Sequence, residues 1–386
     1  MSGLAQTDWL SQVAAFATHQ VAPVAGAWGP ADRPGRDLLP PAALLGLTGI
    51  ELPVAEGGLG LPFGAKARAC EVLAAADFGF AMSVVNTHNV AAKLALCAAS
   101  EVKARWLPDL LDGRISACTA LTEPGAGSDF AAIRMTARRD GGDWILDGEK
   151  TWITNARHAG LAIVYAQCGE LGDRDGIGAF VVDLKAPGAE RFARESAFSQ
   201  VGTGTGGFRL NRYRLDESNL LLEPGTAFRS ILSEINGARV YVAAMCCGMV
   251  QAALEAATEY GAERQSFGRP LAGHQAWRLD LARCATQLAA ARALVAQAIA
   301  AIETDSEAQL LSAQAKIHAV DVAQAQLPVL LHAMGAEGLA PERPFARHLA
   351  AAQIAALTDG STEMLLERVA QLTRAGTVRA TQSNRR

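Results

Sequence analysis

The apolar positions of this chain follow a helical period, then a strand period, then a helical period again. Leu10, Val13, Ala14, Phe16, Ala17 and Val21 fall on one face of a helix that Pro23 is expected to end. Pro40-Pro41 opens the next helix, because a first helical turn does not need the N–H that proline lacks. A glycine-rich loop follows over 52–60, and further helices are predicted over about 62–78, 81–98 and 100–111, the last capped by Ser100. Near Gly113 the period shortens. The segments 116–121, 133–138, 144–154, 161–167, 178–184 and 208–215 are short, rich in β-branched or aromatic residues, and separated by turn signals such as Asp147-Gly148. Strands at this spacing predict an antiparallel barrel or sandwich. After Pro224-Gly225 the helical period returns over about 227–265, 273–304, 306–334 and 360–375, with Asp305-Ser306 as break and cap, which predicts a four-helix bundle. The polar tail from Thr377 is expected to fray.

The expected fold class is therefore α+β and multidomain. A helical domain spans 1–114, a β domain 115–222 and a helical bundle 223–386, with no internal repeat. Composition narrows the function. Hydrophobic residues make up 50% of the 386 positions but aromatics only 6%, so alanine-rich helices that approach closely carry the core. The 35 basic and 39 acidic side chains leave a net charge of −4, which argues against nucleic acid as the main partner. With 19% of residues charged, disorder is excluded over most of the length. Seven cysteines without C-x-x-C spacing read as buried, reduced thiols of a cytoplasmic protein. The start MSGLAQTDWLSQ carries no targeting pattern, and the longest apolar stretch, 240–254, is expected to be a buried helix and no membrane span.

The strongest chemical signal is Leu121-Thr122-Glu123-Pro124-Gly125-Ala126-Gly127-Ser128-Asp129, followed by Trp152-Ile153-Thr154-Asn155. The first segment reads as a strand end running into a glycine turn, which presents backbone N–H groups and hydroxyls to a phosphate or a polar heterocycle edge. Together the two segments resemble the acyl-CoA dehydrogenase family. Gly57-Gly58-Leu59-Gly60 resembles its GGxG loop, Arg264-Gln265-Ser266-Phe267-Gly268 with His274-Gln275 resembles its RxxFGxxL…HQ segment, and His332 to Gly338 lies where the family has QxxGGxG. The resemblance covers nearly the whole chain, in the right order.

It implies an FAD shared between subunits of a homo-oligomer, a dimer or tetramer. Thr119, Leu121, Thr122, Ser128 and Ile153 would line the flavin, Trp152 would cover its ring, and Thr154 would bond near its reactive nitrogen. Arg264, Ser266, Phe267, His274, Gln275, His332 and Gly335, with Ser361 and Glu363, would hold the rest of the cofactor. An arginine suits a pyrophosphate because its fork binds bidentately. His332 stands for the usual glutamine and Ala336 for a glycine, and FAD retention is expected.

Family catalysis removes the α-proton of an acyl thioester, on CoA or on an acyl carrier protein, while the β-hydride passes to FAD. Electrons then leave to an electron-transfer flavoprotein or to oxygen. The family base is a glutamate before the last helix, and here that place holds Asp359 in Thr358-Asp359-Gly360-Ser361. An aspartate in that position would otherwise serve as an N-cap. Ala238 matches an alternative base position and cannot serve, which leaves Glu234, one turn earlier, as the fallback. Ser128, Asn236, Arg239 and Gly360 match substrate-contacting positions, and Ala350-Ala351-Ala352 replaces an Arg-Asp pair, a mark of a divergent member of the kind used in specialised metabolism. Two other readings follow from the aspartate: a nitroalkane-oxidising or other oxygen-using relative, and a non-catalytic FAD binder. The run Gly202 to Gly207 lacks a following helix, so it is no dinucleotide loop, and Ser128 lacks a hydrolase elbow.

Overall fold

The computed structural model describes residues 3–29, 32–194, 198 and 201–383. The chain forms two compact units, one of Met1–Ala69 with Asp77–Ser233 and one of Cys70–Ala76 with Glu234–Arg386.

In the first unit, α1 (Gly3–Phe16) runs through a π-helical turn at Ala17–Val21 into α2 (Ala22–Ala25). Pro23 does not end the helix as its lone sequence position suggests. It stands in the first turn of α2, where its missing N–H costs nothing. Short α3 (Pro34–Asp37) and α4 (Leu39–Leu44) precede the glycine loop, and α5 (Phe63–Ala76), α6 (Phe78–Cys97) and α7 (Ser100–Leu111) follow. The cap of α6 is Asp77, whose carboxylate accepts from the Phe80 N–H at 2.7 Å. Ser100 is a helical residue and makes no cap, because the chain turns one residue earlier, at Ala99.

The β domain holds β1 (Ala117–Ala120), β2 (Thr136–Asp140), β3 (Asp143–Ile153), β4 (Leu161–Gln167), β5 (Ile177–Asp183), β6 (Ala189–Ala193), β7 (Gly206–Asp216) and β8 (Leu220–Leu222) in one sheet. Two strands, β6 and β8, escape the periodicity because they are short or exposed. The sheet is not purely antiparallel, since β1 pairs parallel with β4. Its core is continuous and includes Trp144, Leu146, Val164, Phe180 and Phe208, with Trp144 edge-on to Phe180 at 5.2 Å.

The second unit contains most of α8 (Ala227–Glu263), a two-stranded hairpin of β9 (Gln265–Ser266) and β10 (Arg269–Pro270), then α9 (Gln275–Thr304), α10 (Ala308–Met334), α11 (Phe345–Leu357) and α12 (Thr362–Ser383). The sequence pattern misses α11, whose alanines offer little contrast between faces. Asp305 and Glu307 make a tight left-handed link, with φ of 50° at each, and neither caps α10 by a side-chain bond. The backbone of α12 continues helical to Ser383, well past 375, and residues 384–386 lie outside the described residues. The apolar windows of α8 and α9 are both long enough to cross a membrane. That of α8 is 72% buried inside the chain, as a core helix is, and that of α9 only 28%. All seven cysteines are free. Cys97 is exposed, against the expectation of buried thiols, because it ends α6 at the helix terminus.

Candidate active site

In the first unit, the Leu121–Asp129 loop is closed on itself by reciprocal bonds between the Glu123 and Ala126 backbones, at 2.9 and 3.2 Å. The buried Glu123 carboxylate accepts from the Arg134 N–H at 2.6 Å and the Met135 N–H at 3.0 Å. It also accepts at 2.8 Å from Lys150, a fully buried ammonium that donates in addition to the Leu121 carbonyl at 2.9 Å. Burial pushes the Lys150 pKa down to about 8, against the pull of Glu123. The pair ties the start of the loop to β3, where the Thr151 N–H adds a bond to the Thr122 carbonyl at 3.1 Å, and Glu123 ties it to the chain entering β2. The sequence pattern does not single out this pair, because Glu123 stands in a polar glycine loop and Lys150 in a strand that also carries Asp143, Asp147 and Glu149.

At the end of β3 the chain turns sharply, with φ of 57° at Trp152 and 68° at Asn155. Asn155 is 3% exposed and fixes the turn. Its amide donates to the carbonyls of Ser83 (2.9 Å) and Ala117 (2.8 Å) and accepts from the Ser83 hydroxyl (2.6 Å). The Trp152 indole stands 54% exposed, with the Arg194 guanidinium 5.7 Å from its ring. Thr119, Leu121, Thr122 and Thr154 are half-buried, and Ser128 is exposed. Ile153 turns its side chain into the sheet core, so only its backbone can meet a ligand.

In the second unit, the β9–β10 hairpin presents Arg264 and Phe267 to solvent, Phe267 at φ 49° and 96% exposed. Arg269 donates to His274 Nδ1 at 3.3 Å, and His274 Nε2 lies 3.0 Å from the Ser266 carbonyl, which places the ring proton on Nε2. The Trp277 indole N–H bonds the Ala333 carbonyl at 3.1 Å and so joins the start of α9 to the end of α10. Arg264, Ser266, His274 and Gln275 are thereby brought to the same end of the bundle as His332 and Gly335.

The same unit assembles a carboxylate site. Asp359 adopts φ 54° and Gly360 φ 105° between α11 and α12. The cap of α12 is Ser361, whose hydroxyl accepts from the Met364 N–H at 3.3 Å, so Asp359 is no cap. Residue 359 as a whole is half-buried, but its Oδ2 is enclosed and has no hydrogen-bond partner among the described residues. Burial raises the Asp359 pKa, and Lys316 and Arg239 oppose that rise. Arg239 donates to the Asp359 carbonyl at 3.3 Å and to Asn236 Oδ1 at 3.0 Å, which brings Asn236, Arg239, Asp359 and Gly360 together. Lys316, 1% exposed, donates to the Thr358 and Gly360 carbonyls on either side of Asp359. The sequence pattern does not single it out, because Ser312, Gln314, His318 and Asp321 are interspersed with the apolar residues around it. Glu234 is exposed on α8, Ala238 is buried, and Glu363 is exposed in the first turn of α12.

Trp152, Phe267 and Asp359 are three of the seven described non-glycine residues with positive φ. Such backbone costs about 1–3 kcal/mol per residue and concentrates at ligand sites. Neither ring is buried within the chain: Trp152 meets Arg194 and Phe267 meets His274 edge-on at 6.3 Å, and both stay exposed. An exposed indole beside a hydroxyl-bearing loop, together with an exposed arginine hairpin, fits an FAD in chemical character.

Family models for the N-terminal, middle and C-terminal domains of acyl-CoA dehydrogenases match residues 5–114, 118–213 and 225–373. The human mitochondrial short-chain specific acyl-CoA dehydrogenase is 33% identical over 324 residues, 83% of this chain and 78% of its own length. The 3-(aryl)acrylate reductase of Clostridium sporogenes is 29% identical over 351 residues, 90% of this chain and 93% of its own. The solved butyryl-CoA dehydrogenase of Megasphaera elsdenii superposes with a TM-score of 0.89 at 28% identity, covering 97% of this chain and 98% of that one. With all three domain types matched in order on a shared fold, the chain belongs to the acyl-CoA dehydrogenase family.

Proposed function

We propose that the chain oxidises an acyl thioester at its α,β-carbons with Asp359 as the base that removes the α-proton. As a member of its family it is an FAD-dependent oxidoreductase of the CH–CH class. The observation that carries the specific reading is the enclosed, unpartnered Asp359 Oδ2 with its raised pKa. A carboxylate denied water and other donors is a stronger base than one in solution. Bound FAD supplies the acceptor for the β-hydride. The chain's own part is to hold the carboxylate at the α-carbon, to exclude water from Oδ2, and to polarise the thioester carbonyl through the Asp359 backbone N–H. Arg239 and Asn236 brace that segment and face the thioester arm. Trp152 and Thr154 stand at the flavin ring, and Arg264, His274, Gln275, His332 and Gly335 at its pyrophosphate and adenine half. The apolar α9 surface left unburied supports a homo-oligomer. An electron-transfer flavoprotein is the proposed electron acceptor.

The test is an anaerobic mixing experiment on the yellow, flavin-loaded protein with acyl-CoAs, carrier-bound acyl groups and a nitroalkane. Bleaching by thioesters alone is expected. Bleaching by the nitroalkane alone would assign the aspartate to carbon-acid oxidation of another kind, and no bleaching by any of them would leave a non-catalytic flavin binder.

A further inference from the structure

One cavity rich in cations lies apart from the segments described above. It lies by the start of β1, at the opposite end of that strand from the Leu121–Asp129 loop, and encloses about 690 Å³. Its wall carries Arg33, Arg36, Arg114, Arg157, Lys185 and Arg191, and none of the described lining residues carries a carboxylate. The cations do not form a run in the sequence. They converge from the α3 region, the α7–β1 link, the β3–β4 turn, the end of β5, and β6. A solvated basic face on one element would not do this.

Among the described residues, Arg33, Arg36 and Lys185 meet no carboxylate, and the acidic groups nearby are engaged elsewhere or with Arg114. Asp109 and Asp112 meet Arg114 at 2.7 and 2.5 Å. Asp183 is held by Arg105 and by the Lys185 backbone N–H, both at 2.9 Å, and Asp32 accepts from the Gly29 N–H at 2.6 Å. Arg191 is braced against the wall by its bond to the Ala159 carbonyl at 2.9 Å. His158, in the same wall, feels this field: burial, then Arg33, Arg157 and Arg191, push its pKa down to about 4, so it is neutral at physiological pH. A chain of net charge −4 that gathers six cations into one concavity has concentrated its positive potential there.

We propose that this cavity binds a small polyphosphate anion, free or carried on a nucleoside. Guanidinium forks match phosphate oxygens bidentately and stay charged at any physiological pH, and five of the six cations are arginines. The volume lies within the roughly 300–1,000 Å³ usual for small-molecule sites. Recognition falls on the phosphates and not on a base. Among the described lining residues the phenyl ring of Phe192 is already engaged by the Arg194 and Arg209 guanidiniums at 5.5 and 5.4 Å, and the other ring is the His158 imidazole.

The experiment uses flavin-loaded, full-length protein titrated calorimetrically with inorganic pyrophosphate and with ADP at fixed ionic strength. The triple variant Arg33→Gln, Arg36→Gln, Lys185→Gln changes three exposed side chains outside the flavin and carboxylate segments, and thioester bleaching serves as its folding control. Arg264→Gln is the control for anion capture at the flavin segments. Saturable binding of pyrophosphate by the wild type is expected, weakened about tenfold or more in the triple variant and unchanged in Arg264→Gln, with ADP no tighter than pyrophosphate. Equal binding by the triple variant would overturn the proposal, as would loss of binding in Arg264→Gln. Capture of an acidic peptide without pyrophosphate binding would assign the cavity to a protein partner and overturn it too.

Discussion

Replacing Lys316 by methionine keeps the volume of the side chain and removes its charge. The structure places that ammonium, 1% exposed, against the carbonyls of Thr358 and Gly360 and beside Asp359. Burial draws its pKa from 10.5 to about 8, with Asp359 pulling the other way. At about 1.4 kcal/mol per pH unit, keeping Lys316 charged costs the fold about 3 kcal/mol. Between pH 8 and 10.5 the unfolded chain holds a proton that the folded chain has released, so this residue makes stability rise with pH across that window and stay level below it. Lys316→Met lacks the rise. Urea denaturation of both proteins at pH 7 and pH 10.5 should therefore show the difference between them moving in favour of wild type by about 3 kcal/mol, other groups cancelling. The variant also leaves two carbonyls without a charged donor and Asp359 without one of its two neighbouring cations. The Asp359 pKa then climbs, and the acidic limb of the flavin-bleaching rate moves to higher pH. A lysine that serves packing alone would change stability and leave that limb in place. An unmoved limb, or the same pH dependence of stability in both proteins, would refute the reasoning.

Two further outcomes follow from other contacts. Lys150→Met strands the Glu123 carboxylate, and thermal unfolding should report a loss of about 3–5 kcal/mol, much of it regained in the double variant with Glu123→Gln. Gly248→Ala would set a Cβ 2.0 Å from the Glu71 carbonyl oxygen, backbone that cannot rotate away, and should cost about 1–3 kcal/mol in denaturation or force α8 off the segment 70–76.

The order of helices, strands and helices is legible in the periods because long amphipathic or apolar runs dominate it. What the periods hide is structure set by tertiary contacts. Strand β6 is mostly exposed and gives no clear alternation, α11 is too rich in alanine to show a face, and Pro23 sits in a helical start that only the π turn before it creates. The candidate site divides the same way. Asp359, Arg239 and Trp152 stand out by motif. Lys316, Lys150 and Asn155 act by holding backbone carbonyls or carboxylates distant in sequence, and residue type alone does not announce that. The capping role open to Asp359 in sequence goes to Ser361, because the left-handed turn at 359–360 carries the carboxylate two residues ahead of the cap position.

The central claim is that Asp359 removes the α-proton, and single-turnover bleaching of Asp359→Ala under anaerobic conditions tests it most directly. The variant should keep its flavin and its fold and reduce its flavin with the best acyl thioester about a hundredfold to ten-thousandfold more slowly than wild type. A variant that retains flavin and bleaches at the wild-type rate would contradict the account and move the search for the base to another group, Glu234 first.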